Sequence, residues 1–345
     1  MIVEHKDFKI HFLSTDQKEK ICSFLSKLRD TSQSISCKTS GSTGTPKEIE
    51  LSKEALVVSA QNSIDFFKLK PKESAILCMS VDFIAGKMML VRAMIAGLEI
   101  KVLPVSADLS GHIESSEFIA LFPKQLRGLL QTKEGLKALK ETKNILVGGA
   151  RISAEIEGTL HANKLSIYQS YGMTETATHV ALKRSGYQKE DYYRAVNGVS
   201  FGHKDGCLIV NYPKVQAAPI TTTDLVEIVD PLTFKWIGRS DFIINTGGYK
   251  VSPEQLEEKL ETLLKSSCMV TGIKDEEFGE KIGLILINDQ PIEGLHKIAF
   301  KKLLHPFEIP KSYVCIHEFS RTPNGKLDRV KTAEKIKDSA WENIL

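Results

Sequence analysis

The chain has 345 residues, 42% of them apolar and 26% charged, enough for roughly two to three domains with sizeable cores. Its 46 basic residues nearly balance its 43 acidic ones, so the total charge points to no nucleic-acid or other polyanionic partner. The six cysteines lie far apart with no Cys-x-x-Cys pair, the histidines form no cluster at metal-ligand spacing, and no apolar run approaches the ~18 residues of a membrane span. A cytoplasmic protein with reduced thiols and no membrane partner is expected.

The N-terminus, "MIVEHKDFKIHFLS", scatters charges along its length, so export is not expected. The first chemically suggestive stretch is "KTSGSTGTPKEIELS", from Lys38 to Ser52. Gly41 and Gly44 let backbone N–H groups approach a ligand, while Thr39, Ser40, Ser42, Thr43 and Thr45 offer hydroxyls and Lys47 a mobile charge. That is phosphate-cradle chemistry. Pro46 before the lysine and Glu48 after it rule out a Walker loop, and taken alone the stretch also reads as a solvated loop.

From residue 52 to about 235, helical stretches such as "SKEALVVSAQNSIDFF", "IAGKMMLVRAMIAG", "SEFIALFPKQLRGLL" and "SAEIEGTLHA" alternate with short apolar runs such as "AILCMSV", "EIKVLPV", "NILVGGA" and "LSIYQSYG". Alternation of this kind predicts an α/β fold in which helices cover a mainly parallel sheet. Such sheets carry ligand loops at the carboxyl ends of their strands, where "VGGA" (147–150) and "YGMTE" fall.

The pattern changes near residue 239 to a smaller α+β unit. In "SPEQLEEKLETLL", Ser252 is a helix cap, Pro253 suits the first helical position, Gln255 completes a capping box, and Leu256, Leu260, Leu263 and Leu264 line one face. Two apolar runs ("CMVTGI", "KIGLILI"), a helical stretch from Ile292 to Leu304 and "YVCIHEF" follow. The expected division is 1–238 as a large N-terminal domain, 239–243 as a connection, and 244–345 as a small, mobile C-terminal domain.

Five segments in order, "TSGSTGTPK" at 39, "YGMTET" at 171, "TTTDLVEI" at 221, "WIGRSDFIINTGGYKVSPEQLEE" at 236 and "RTPNGKLDR" at 321, resemble the acyl-adenylate-forming superfamily of acyl-CoA synthetases, adenylation domains and luciferases. Between them, "FIALFPKQLRGLL", "ILVGGARIS" and "YQSYGMTETATHVALK" look like o-succinylbenzoate–CoA ligases of menaquinone synthesis. The chain departs from the family in two ways: its polar loop begins at residue 39, where relatives have a longer preceding region, and it has Thr222-Thr223-Asp224 where many have Thr-Gly-Asp. The first departure leaves room for a homodimer covering the exposed face.

The resemblance implies an ATP-dependent acid–thiol ligase: a carboxylic acid attacks the α-phosphate to give acyl-AMP and pyrophosphate, and coenzyme A then displaces AMP. A synthetase for another aromatic or aliphatic acid, or a domain that loads a carrier protein, are the alternatives. By resemblance, the residue 39–44 loop and Lys47 hold the phosphates, Tyr171 stacks on adenine in the Gly172-Met173 loop, Thr174 bonds the α-phosphate and Glu175 binds Mg2+. Gly148, Gly149 and Ala150 lie along the base, and Asp224 with Arg239 holds the ribose. Lys326, just past the Asn324-Gly325 turn, is implied as the adenylation lysine. Asp241 matches the family's hinge, and Gly247 and Gly248 the pantetheine channel. Phe83 takes the position of an aromatic gate at the acyl pocket. Lys87, one turn later, is a candidate for a second substrate carboxylate with Arg92 and Arg194 as rivals, and His179 is a further candidate lining residue.

Overall fold

The computed structural model describes residues 2, 4–38, 47–109, 111–264, 266–287, 297–322, 327–337 and 339–344. A 12-stranded sheet organises the first two thirds of the chain. From edge to edge its strands are Lys9–Phe12, Glu99–Val102, Ser74–Leu77, Phe118–Leu121, Asn144–Val147, Ser166–Met173, Thr178–Gly186, Tyr193–Ala195, Thr233–Arg239, Ile220–Asp230, Cys207–Asn211 and Ser200–Lys204. Pairing is parallel as far as Ser166–Met173 and antiparallel from there on.

The helices over the parallel part arise from local signals. Ser52 caps the helix Lys53–Phe67 by accepting from the Ala55 N–H at 3.0 Å. The helix Ile84–Ala96 is apolar almost all round because it lies inside the molecule, with Met88, Met89, Leu90, Val91, Ala93 and Met94 buried; Gly97 ends it at φ 73°. "SEFIALFPKQLRGLL" is two elements, the strand Phe118–Leu121 and the helix Pro123–Leu130. The proline explains the break, since it keeps Phe122 extended and suits the first helical turn. A hairpin, Ser34–Lys38 against Glu48–Ser52, flanks the polar loop.

At Arg239 the chain leaves the large sheet, turns through Ser240–Phe242, and enters a six-stranded sheet with Ile244–Thr246. The helix Pro253–Leu264 begins where its cap predicts and buries Leu256 and Leu260 on the smaller core. Only Lys297–Leu303 is helical in the described part of the second predicted helix, whose residues 292–296 lie outside the described residues. Among the described residues no helix is long and apolar enough to cross a membrane.

Candidate functional site

A cleft of about 1550 Å³ opens at the carboxyl ends of the parallel strands and is closed on its other side by the smaller unit. Asp224 lines it, on the strand Ile220–Asp230 directly opposite Arg239. The Tyr171 hydroxyl donates to Asp224 Oδ2 at 2.6 Å and Trp236 Nε1–H donates to Oδ1 at 3.1 Å. The Thr222 hydroxyl accepts the Asp224 N–H at 3.1 Å. Two donors therefore aim the carboxylate, one on each oxygen, while the third bond fixes the backbone of Asp224. Burial first, then the Asp224 charge, raises the Tyr171 phenol far above its ordinary pKa, so it stays a donor. Its ring lies edge-on to Phe234 at 5.2 Å and to Tyr193 at 5.8 Å.

Arg239 lines the same cleft. One terminal nitrogen meets Asp241 Oδ2 at 2.5 Å, while its buried Nε has no hydrogen-bond partner among the described residues. An orphaned guanidinium donor opposite an oriented carboxylate suits a ribose, whose hydroxyls both accept and donate.

Thr174, Glu175 and Thr176 form a single 3-10 turn past the strand Ser166–Met173. The Thr176 hydroxyl accepts from the Met173 N–H at 3.1 Å, and Gln216, which sequence reasoning missed, donates its Nε2–H to the Glu175 carbonyl at 2.9 Å. Ala177 and Thr178 follow with φ 54° and 127°; a β-branched residue in that region is strained, as loops at functional sites often are. Gly172 is required by the chain itself, since a Cβ there would sit 2.1 Å from the Thr178 carbonyl oxygen. Gly148, Gly149 and Ala150 leave the carboxyl end of Asn144–Val147 and also line the cleft. Among the described residues no three His, Cys, Asp or Glu side chains gather as a metal site. A magnesium ion carried mainly by phosphate oxygens needs only one or two protein carboxylates, and the exposed Glu175 fits that use.

At the foot of the cleft is a buried polar cluster. Arg92, 2% exposed, donates from Nε to the Ser63 hydroxyl at 2.9 Å and from Nη2 to the Thr178 hydroxyl at 3.3 Å. His179 Nε2 is 3.3 Å from the same Ser63 oxygen. Among the described residues no carboxylate pairs with this guanidinium, and burial lowers its pKa to about 10. Burial, helped by the Arg92 charge, also lowers His179 to about 3, so it is a neutral imidazole.

Phe83 and Lys47 line the cleft. Lys87 does not: its ammonium donates to the Ser36 carbonyl at 3.0 Å and lies 5.9 Å from the Phe24 ring, facing a second, smaller cavity. Helical spacing from Phe83 suggested a shared direction, but the nearby backbone carbonyl turns the long side chain away. Arg194 is paired with Glu190 at 3.8 Å, so of the three candidate cations Arg92 is the one in the cleft. Gly247 and Gly248 form the tight turn between Ile244–Thr246 and Tyr249–Val251, with φ 58° and 82°, and do not line the cleft in this arrangement. Thr39, Ser40, Gly41, Ser42, Thr43 and Gly44 lie outside the described residues, as do Lys326 and the Asn324-Gly325 turn. The residues flanking that turn, Arg321 and Leu327, pair with each other and line the cleft.

Residues 30–206 match the family model described as AMP-binding enzyme. The chain is 26% identical over 326 residues to the 2-succinylbenzoate–CoA ligase of Staphylococcus epidermidis, covering 85% of this chain and 68% of that protein. Among solved structures, an acyl-CoA synthetase (AMP-forming)/AMP-acid ligase II-like protein from Dyadobacter fermentans is 29% identical with a TM-score of 0.62, covering 93% of this chain and 95% of that one. The o-succinylbenzoate coenzyme A synthetase of Bacillus subtilis, in complex with ATP and magnesium ion, shares the fold at a TM-score of 0.71 and 19% identity, covering 86% of this chain and 69% of that one.

Proposed function

The chain belongs to the AMP-binding enzyme family and is an adenylate-forming ligase, and from that premise we propose that it joins o-succinylbenzoate to coenzyme A through an acyl-adenylate. The observation that carries this choice is Arg92, a buried guanidinium at the foot of the cleft with no carboxylate partner among the described residues. A buried charge without a counter-ion is costly, and a substrate with two carboxylates supplies one: the first reacts at the α-phosphate and the second pairs with Arg92. The Ser63 and Thr178 hydroxyls hold the guanidinium in position to receive it.

In this reading Asp224 and Arg239 hold the ribose, Thr174 bonds the α-phosphate, and Gly148 to Ala150 and Tyr171 border the base. Glu175 would hold a magnesium ion, which neutralises phosphate charge when bound. Lys47 and the 39–44 loop receive the departing pyrophosphate. Lys326 stabilises charge as the new P–O bond forms, and rotation about Asp241 then brings Gly247 and Gly248 to the thioester step.

ATP–pyrophosphate exchange over a panel of acids tests the reading. Exchange should respond to o-succinylbenzoate, and Arg92→Met should raise the KM for that acid roughly a hundredfold, the scale of a broken buried ion pair. Equal exchange with a simple aryl monocarboxylate in wild type, unchanged in the variant, would exclude the dicarboxylate.

A further inference from the structure

The turn that presents Glu175 is held from both sides. Ala177 and Thr178, which follow it, sit at φ 54° and 127°, and a backbone this strained persists only where its neighbours over-determine it. On one side the buried Ser59 hydroxyl, from the helix Lys53–Phe67, donates to the Ala177 carbonyl at 3.0 Å and lies 2.9 Å from the Thr178 hydroxyl. On the other, Gln216 Nε2–H donates to the Glu175 carbonyl at 2.9 Å.

Gln216 is itself anchored. Its backbone N–H and that of Val215 donate to the Tyr212 carbonyl at 3.0 and 2.9 Å, and the hydroxyl of the buried Tyr212 accepts from Asn62 Nδ2–H at 2.7 Å. Asn62 stands on the same helix as Ser59, so both holds on the turn trace back to one element. Gln216 Oε1 is buried and has no hydrogen-bond partner among the described residues, so the amide is fixed through its nitrogen alone. The Glu175 side chain is exposed on the cleft wall, and its direction follows the peptide that Gln216 holds.

We propose that Gln216 is a positioning residue for the metal carboxylate: by holding the Glu175 carbonyl, it aims the Glu175 side chain at a magnesium ion carried by the nucleotide phosphates. The inference rests on the ligase reading above. Gln216 does not itself line the cleft, so it acts through Glu175 rather than on the nucleotide. Metal-binding carboxylates depend on the outer partners that orient them, and losing one such partner weakens metal binding by roughly ten- to a hundredfold.

The test reads binding without turnover. Gln216→Leu removes the donor, and Gln216→Glu keeps the shape of the side chain but sets an acceptor against the Glu175 carbonyl. Mn2+ bound beside α,β-methylene-ATP, followed by electron paramagnetic resonance, should be held about tenfold more weakly in both variants than in wild type, while the affinity for AMP, which needs no metal, is unchanged. Unfolding midpoints in urea should be matched among the folded variants; if the leucine variant does not fold, Gln216→Met makes the same comparison. Unchanged Mn2+ affinity, no Mn2+ beside the analogue in wild type, or an equal loss of Mn2+ and AMP binding overturns the positioning role. Absence of ATP–pyrophosphate exchange in wild type with every acid overturns the ligase reading itself, a result that the Mn2+ comparison between variants cannot mimic.

Discussion

The phenol of Tyr171 and the carboxylate of Asp224 meet at 2.6 Å across 53 positions of sequence, joining the last parallel strand to the antiparallel part of the sheet. With Trp236 on the other oxygen, the carboxylate is held before any ligand arrives. Tyr171→Phe removes one anchor and leaves the ring's packing on Phe234 and Tyr193 in place. A hydrogen bond to a charged group is worth about 1.5–3 kcal/mol, so the KM for ATP should rise by roughly tenfold or more, with a smaller effect on kcat. Steady-state kinetics with varied ATP checks this; a fall in kcat at constant KM would place Tyr171 in the chemical step instead.

His179 makes stability depend on pH. Its pKa is lowered from 6.5 to about 3 by burial and by the Arg92 charge, so below about 6.5 the unfolded chain binds a proton that the folded chain refuses. The stability it contributes is whole above 6.5 and is lost as pH falls through the window from 6.5 toward 3, at up to about 1.4 kcal/mol per pH unit. Urea unfolding at about pH 7.5, 6 and 5 should show this slope in wild type, and His179→Gln should flatten it. The same slope in both proteins would mean that other groups set the acid limb.

Much of the architecture is legible in the sequence because the signals are local. Ser52 and Ser252 announce their helices through their own side chains, and the turn residues of "VGGA" and "YGMTE" stand at strand ends in an α/β pattern. What escapes is set by distant partners. Nothing near Tyr171 reveals that its hydroxyl belongs to Asp224, and spacing alone cannot tell that Lys87 finds the Ser36 carbonyl. The antiparallel strands from Thr178 to Arg239 interleave charged and polar residues with apolar ones, as in "ITTTDLVEIVD" and "TFKWIGR", so they lack the continuous apolar runs of the parallel strands. Arg92 did leave a signal, a lone charge in the apolar run "MMLVRAM", but burial was needed to separate it from its rivals.

Two glycines that look alike in sequence should respond oppositely to alanine. A Cβ on Gly172 would meet Thr178 O at 2.1 Å and His179 Cα at 2.5 Å, both backbone atoms that cannot step aside. Gly172→Ala should cost about 3 kcal/mol or more and, by displacing Thr174 and Glu175, suppress exchange activity. Gly158, inside the helix Ala154–Ala162, has nothing within 4 Å of its missing Cβ. Gly158→Ala should stabilise by up to about 1 kcal/mol and leave activity alone. Thermal unfolding of the two variants side by side is the measurement, and a destabilised Gly158→Ala would contradict the open space around it.

The smaller unit is also fastened by charge. Arg151 follows directly on Gly148, Gly149 and Ala150, and its guanidinium reaches Glu261 at 3.1 Å and Glu258 at 3.8 Å on the helix Pro253–Leu264, with Lys189 3.6 Å from Glu258. The Glu261 side chain is only 9% exposed and that of Arg151 27%, so this pair is screened less than a surface pair. A double-mutant cycle of Arg151→Gln and Glu261→Gln should give a coupling near 1 kcal/mol at low salt. Because the pair joins the segment after the strand Asn144–Val147 to the helix Pro253–Leu264 of the smaller unit, exchange should slow as salt rises from roughly 0.03 to 0.5 M, and the Glu261→Gln variant should lose most of that dependence. A salt dependence equal to wild type in the variant would show that this pair contributes nothing to it.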